Sequence, residues 1–232
     1  MANGDAGLAT CGCQTRRHFV RHALTCGALM AAGLAAPRIA RAQSTLTPDA
    51  ALAQMMAGNG RFVAKTLTSF DDDLTMLKAN TAEKQEPFAA VLSCADSRVP
   101  VELVFDQTIG HLFVARVAGN VASTEMIASL EFGAAVLGTK VIMVMGHAGC
   151  GAVKAAIAGK PVPGQISALY LPLRPGVDEA GPDLEATIRA NAKFQAKMLS
   201  EASPVLADLI AQKQLRIVAA YYELSTGAVT VL

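Results

Sequence analysis

Two nearly unbroken apolar runs stand out along the chain. Phe88-Ala89-Ala90-Val91-Leu92-Ser93 ends at Cys94, and Val141-Ile142-Met143-Val144-Met145-Gly146 ends at His147. Short runs without polar alternation suit strands covered on both faces, as in a parallel sheet. Between them the pattern predicts a third strand from Leu112 to Val117 and a helix from Ser123 to Leu137, opened by Ser123, Thr124 and Glu125. Upstream, Pro48 and Asp49 open a helical period with Leu52, Met55, Met56, Phe62 and Val63 on one side, weakened in its middle by Gly58 and Gly60. A polar stretch with Asp71, Asp72 and Asp73 leads to a second short helix near Met76, and the triplet reads as a solvated helix start. Downstream, Asp183 to Glu201 forms a long amphipathic helix, and Ser203-Pro204 begins another to about Gln212. Strands from Leu215 to Tyr222 and Ala228 to Leu232 follow, joined by a Thr226-Gly227 turn. The stretch from Gly159 to Pro182, with Pro161, Pro163, Pro172, Pro175 and Pro182, reads as a long loop that shapes a pocket or covers a surface. Strand, helix and strand at these spacings predict one α/β domain over residues 43–232, a central, mostly parallel β-sheet flanked by helices.

Composition narrows the choice. Of 232 residues, 52% are hydrophobic and 17% charged, and mean hydropathy is +0.36, which excludes a disordered or fibrous chain. Tryptophan is absent and aromatics are 5%, so the core must be built from Ala, Val, Leu, Ile and Met. A formal charge of +1 gives no electrostatic basis for binding nucleic acid. Even that charge is local. Arg16, Arg17, Arg21, Arg38 and Arg41 face only Asp5 within residues 1–42, which leaves fifteen cations against eighteen anions in residues 43–232.

The basic N-terminus has the parts of an export signal. Arg16-Arg17 precede Phe19-Val20, an apolar run of fourteen residues extends from Ala23 to Ala36, and Ala40-Arg41-Ala42 is an A-x-A site. Fourteen residues are too few to cross a bilayer, which takes about 20. Residues 1–42 are therefore expected to be a cleaved twin-arginine signal peptide, read by the Tat export machinery. Gln43 would then begin a bacterial periplasmic or secreted protein with no membrane contact after cleavage. Cys11, Cys13 and Cys26 leave with the signal. Cys11-Gly12-Cys13 has no partner ligands nearby, and Ala23 stands where a lipobox would want leucine.

The remaining chain keeps Cys94 and Cys150. Two cysteines in an exported protein are often a disulfide, and a thiol–disulfide protein is one function they could serve. Their surroundings point elsewhere. Cys94, His147 and Cys150 fall at the carboxyl ends of two predicted parallel strands, the edge where open α/β sheets bind ligands. Cys150 lies three residues after His147, at the start of a small-residue helix from Ala152 to Ala158, a spacing that puts both on one face. A helix N-terminus also favours the thiolate. Two cysteines and a histidine make a three-ligand zinc set, and three protein ligands leave a position for water, as catalytic sites do. In Cys94-Ala95-Asp96-Ser97-Arg98, alternate residues of an extended segment share a face, so Arg98 can clamp Asp96 bidentately beside the metal. The plain alternative for that pair is a surface salt bridge. His111, in a turn after Gly110, reads as a surface residue.

Cys94-x-Asp96-Ser97-Arg98, followed 53 residues after Cys94 by His147-x-x-Cys150, resembles the β-class carbonic anhydrases. Gly58-Asn59-x-Arg61-Phe62, Phe113-Val114-x-Arg116-Val117-Ala118-Gly119-Asn120, Gly149-Cys150-Gly151 and Tyr222-x-x-x-Thr226-Gly227 extend the likeness from about Asp49 to Leu232. The resemblance implies a lyase that hydrates CO2 reversibly to bicarbonate and a proton by attack of zinc-bound hydroxide, with one Zn2+ per chain. By that resemblance Cys94, His147 and Cys150 bind the metal, water or Asp96 takes the fourth position, and Asp96 and Arg98 form the catalytic dyad that decides between them. Gln85 matches a glutamine that hydrogen-bonds substrate across a dimer interface. Phe113, Ala118 and Phe132 match residues lining the apolar CO2 pocket, and Gly151 a glycine whose backbone faces it. The implied fold adds a projecting N-terminal helical arm, and the implied assembly is a homodimer or a dimer of dimers. A subset of the family gated by bicarbonate carries tryptophan three residues before the first zinc cysteine. Val91 stands there, so no second bicarbonate site of that kind is expected, and water on zinc is the expected resting state. The same ligands would also suit a zinc hydrolase of CS2 or COS, or a catalytically silent zinc- or bicarbonate-binding protein in which Asp96 fills the fourth site.

Overall fold

The computed structural model describes residues 44–69, 81 and 84–232. The expected signal peptide, the Asp71–Asp73 triplet and the short helix near Met76 lie outside the described residues. The first helix, α1 (Pro48–Ala64), starts where the side chain of Thr47 accepts a hydrogen bond from the Ala50 N–H and Pro48 occupies the first turn. Both apolar runs form strands, β1 (Ala89–Ser93) and β3 (Val141–His147), and every residue of each is buried. With β2 (Leu112–Arg116), β4 (Arg216–Tyr222) and β5 (Val229–Val231) they make one sheet in the order β2-β1-β3-β4-β5. All pairings are parallel except that of β4 with β5. A one-turn helix, α2 (Val101–Val104), precedes β2, and α3 (Thr124–Glu131) links β2 to β3. After β3 come α4 (Gly151–Ala158), α5 (Tyr170–Ala180), α6 (Leu184–Ala202) and α7 (Pro204–Ala211).

Alternation along the strands sorts the apolar residues into two layers. Val91, Met143, Met145, Val218 and Ala220 pack with Ala51 and Met55 of α1 and with Val101, Val104 and Phe105. On the other face Ala90, Leu92, Ile142 and Val144 pack with Leu130 of α3, Leu199 of α6, and Leu206 and Leu209 of α7. The expected parallel α/β sheet is therefore present, with helices on both faces.

Three details differ from the expected elements. The buried stripe of α1 runs through Ala51, Met55, Gly58 and Asn59, while Val63 is 43% exposed. Gly58 lies so close to the chain after α2 that a Cβ there would come within 1.8 Å of the Phe105 carbonyl oxygen, so this glycine permits contact rather than weakening the helix. The helix expected to Leu137 ends its α-helical part at Glu131 and continues as a wider π-type turn over Phe132–Val136. The proline-rich stretch is mostly helical, a 3-10 segment at Gly164–Leu169 followed by α5. Pro175 sits inside α5, where it deprives the Leu171 carbonyl of its helical donor. Leu171 is 80% exposed, so water can serve that carbonyl, while Leu173 and Gly176 turn inward, Gly176 against Asn191 of α6.

Candidate metal centre

The sheet's parallel strands end together, and that edge holds the site. Ser93, Arg116 and Met145 share one register level, so Cys94 leaves β1 next to the end of β2 and one residue short of the end of β3. His147 is the last residue of β3. The chain then turns through Ala148 and Gly149, whose φ is +66°, and Cys150 caps α4. The expected helical i, i+3 face is thus not what joins His147 to Cys150: a strand end and a helix start meet across a glycine turn.

Cys94, His147 and Cys150 are buried, and their ligand atoms all lie within 4.8 Å of one another. The two sulfurs are 4.0 Å apart and both cysteines are free, which corrects the disulfide alternative. A tetrahedral ion with bonds of about 2.3 Å to sulfur sets its thiolates about 3.8 Å apart, so the pair is spaced for a shared cation. His147 Nδ1 lies 3.0 Å from the Ala148 carbonyl oxygen, which it can satisfy only as a donor. In the neutral ring with that tautomer Nε2 is the acceptor, and it is fully buried without any hydrogen-bond partner in the structure. An orphaned nitrogen aimed at two thiols is the arrangement a metal ion completes.

The sulfurs behave as a pair. The Cys150 thiol hydrogen-bonds to Cys94 and holds the Cys94 thiol well below its ordinary value, against the opposing effect of burial. The Gly119 N–H, 3.3 Å from Cys94 Sγ, acts in the same direction. Cys150 moves the other way, its thiol raised by its bond to Cys94, by burial and by the neighbouring negative charge. One proton leaves readily and the second stays, unless a cation replaces it.

Asp96 stands beside this cluster, with Oδ2 3.8 Å from His147 Nε2. Arg98 binds it three times: its backbone N–H and Nε both donate to Oδ1 at 2.9 Å, and an Nη donates to Oδ2 at 2.7 Å. The bidentate clamp is as expected, but the extended segment is not. The chain turns here, with the Val99 N–H donating to the Asp96 carbonyl, and the turn brings Arg98 back over the carboxylate. Arg98 holds the Asp96 carboxyl well below the usual carboxylate range, so it is an acceptor at any working pH.

Other residues stabilise this loop without belonging to the expected set. Arg116, at the end of β2, donates from Nε to the Cys94 carbonyl at 3.0 Å and from an Nη to the Asp96 carbonyl at 2.6 Å. Asn191 of α6 donates to the Gly119 carbonyl at 3.0 Å and is bonded in turn by Gln195. Arg116 and Gly119 lie inside a recognisable sequence block. Asn191 and Gln195 have a weaker signal, polar residues at i and i+4 within the apolar stripe of an amphipathic helix.

The expected substrate residues are dispersed. Gly151 opens α4 next to Cys150, and Ala118 lies one residue from the Gly119 N–H that reaches Cys94. Phe113 and Phe132 pair with each other at 6.4 Å, but Phe113 is in register with Ala90, four residues short of Cys94. Gln85 is exposed and precedes β1, so it lies toward the opposite end of the sheet. His111 is half-buried, with its carbonyl accepting from Phe88 N–H where β1 begins, and it faces a separate cleft of about 470 Å³ with Arg61 and Asp106.

Comparison with known proteins agrees with this geometry. The carbonic anhydrase family profile matches residues 89–229. Carbonic anhydrase 2 of Mycobacterium tuberculosis is 41% identical over 111 residues, 48% of this chain and 53% of that protein, so the match spans about half the length of that relative. The carbonic anhydrase of Pseudomonas aeruginosa is 30% identical over 175 residues, 68% of this chain and 79% of its own. Among solved structures, a tetrameric β-carbonic anhydrase of Sordaria macrospora superposes with a TM-score of 0.60 at 24% identity, over 78% of this chain and 94% of that one, a likeness of fold. The chain belongs to the β-class carbonic anhydrase family.

Proposed function

We propose that this chain is a zinc enzyme that hydrates CO2 reversibly to bicarbonate and a proton, with one Zn2+ held by Cys94, His147 and Cys150. The observation that carries the reading is the orphaned Nε2 of His147 facing two free thiols, with a carboxylate beside them already occupied by arginine. Zinc bound there would supply Lewis acidity that makes water nucleophilic near neutral pH. Cys94 and Cys150 would hold it as thiolates, and the start of α4 helps, since the backbone N–H groups of Ala152 and Val153 favour the Cys150 anion. Asp96, ionised and unable to rotate freely, orients the nucleophile by accepting its hydrogen bond. Arg98 keeps both Asp96 oxygens engaged and would so keep the carboxylate from binding the metal itself. Ala118 and Gly151 would border the substrate in this reading. Phe113, Phe132 and Gln85 would serve the site from the assembled dimer or dimer of dimers. Residues 1–42 act in this reading as a twin-arginine signal for periplasmic or secreted delivery.

The deciding experiment is stopped-flow CO2 hydration by the zinc-loaded protein at about pH 8.5, alongside Asp96→Asn. Rapid hydration reduced by about 100-fold or more in the variant is expected for a group that orients the nucleophile. Stoichiometric zinc with no hydration would overturn the reading in favour of a closed site or, if CS2 or COS is turned over, of a related hydrolase. An exported protein whose N-terminal residue is not Gln43 would overturn the assigned cleavage site.

A further inference from the structure

The inner face of α6 carries three buried polar side chains one helical turn apart, Thr187, Asn191 and Gln195, each no more than 2% exposed. Buried amides are costly unless their donors and acceptors are all engaged. Thr187 closes its own helix start by donating to the Gly181 carbonyl at 3.0 Å. The two amides reach further. Gln195 Nε2 donates to the Pro172 carbonyl at 2.8 Å and to Asn191 Oδ1 at 3.1 Å, while its Oε1 accepts from the Ala122 N–H at 2.9 Å. Asn191 Nδ2 then donates to the Gly119 carbonyl at 3.0 Å, and the Gly119 N–H donates to Cys94 Sγ at 3.3 Å.

Gly119 is the weak link of that chain unless something restrains it. Its φ is +76°, and a Cβ would meet Leu173 at 3.1 Å, so the position needs glycine. Glycine also has the greatest freedom to turn its N–H away from the sulfur. We infer that Asn191 is a positioning residue for the metal site, fixing Gly119 so that its N–H stays on the Cys94 sulfur. The inference rests on the metal reading above. A hydrogen bond to the thiolate draws charge from the sulfur and orients its lone pairs, and partners of this kind are typically worth about 10- to 100-fold in metal affinity or activity. The amide pair also gives the proline-rich stretch a role, since Pro172 anchors the far end of the network.

The test uses the cobalt-substituted protein, read by its sulfur-to-cobalt charge-transfer band, and zinc affinity measured by chelator competition. Asn191→Ala and Asn191→Asp are compared with Thr187→Val, which loses a buried hydrogen bond on the same helix without touching Gly119. Both Asn191 variants are expected to bind zinc about 10-fold more weakly and to shift the band, the aspartate because it keeps the size but cannot donate to a carbonyl. Thr187→Val is expected to match the wild type in both readouts. Unchanged affinity and band in the Asn191 variants, or an equal loss in Thr187→Val, would overturn the inference. If Asn191→Ala fails to fold, Gln195→Met carries the same reading: a smaller shift in the same direction supports it and no shift overturns it. A wild type without any thiolate-to-cobalt band would instead refute the metal reading itself.

Discussion

Asp96 owes its behaviour to Arg98 more than to its own burial. A carboxyl held below its ordinary value contributes its stabilisation fully above about pH 4 and loses it only as pH falls through the lower folded value. Asp96 therefore cannot produce an acidic limb in the activity profile between about pH 5 and 9. The nucleophile must. Two thiolates would cancel the charge of a bound divalent cation, and the Asp96 anion stands close by, so water on zinc held here would be acidified less than on zinc held by neutral histidines. We expect kcat/KM for CO2 hydration to rise from about pH 6.5 into mildly alkaline solution, as measured by stopped flow in buffers of constant ionic strength. A flat profile over about pH 6.5 to 9 would mean that the residues around the metal do not set its acidity in this way.

At the scale of elements, the helix α1 meets the chain after α2 at a glycine. Gly58 allows its backbone to touch the Phe105 carbonyl, and Asn59 beside it donates to the carbonyls of Val104 and Gly227. Gly60, one residue further, faces open space. Gly58→Ala should lower stability by about 1–3 kcal/mol through overpacking against backbone. Gly60→Ala should raise it by about 0.5–1 kcal/mol, because alanine loses less freedom on folding. Urea unfolding midpoints of the two variants decide the matter, and shifts of the same sign would contradict this account of α1. The same contrast shows what a sequence can carry. The apolar runs ending at Cys94 and His147 identify buried parallel strands, and with them the metal ligands, because hydrophobic period and strand-end position are local properties. Gly58 and Gly60 look alike in sequence, since close approach depends on a chain 47 residues away. The 159–182 stretch misleads for a related reason: its prolines argue against helix locally, while Leu173 and Gly176 draw it into helix by packing against other elements. Asn191 lacks any motif because its function passes through Gly119.

The whole molecule raises a problem of distance. The four steps along β1 alone put about 13 Å between its ends, so Gln85, before its start, is remote from Cys94, after its end, within one chain. If Gln85 takes part in the reaction, it does so in another copy. The surface is compatible with such a contact. Phe132 is 46% exposed, it pairs with the half-buried Phe113, and both lie by β2, the sheet edge that has no strand beyond it among the described residues. An uncovered edge with aromatic side chains beside it is a surface that association would bury. Phe132→Asp places a charge there without touching Cys94, Asp96, His147 or Cys150. Light scattering should show the wild type as a dimer or larger and the variant shifted toward monomer. CO2 hydration should fall about 10-fold or more while zinc content stays at one per chain, because the ligands are internal whereas the Gln85, Phe113 and Phe132 contacts need the assembly. A monomeric variant with full activity would place the entire site within one chain and remove Gln85 from it. A variant that still assembles and turns over normally would locate the interface elsewhere on the surface.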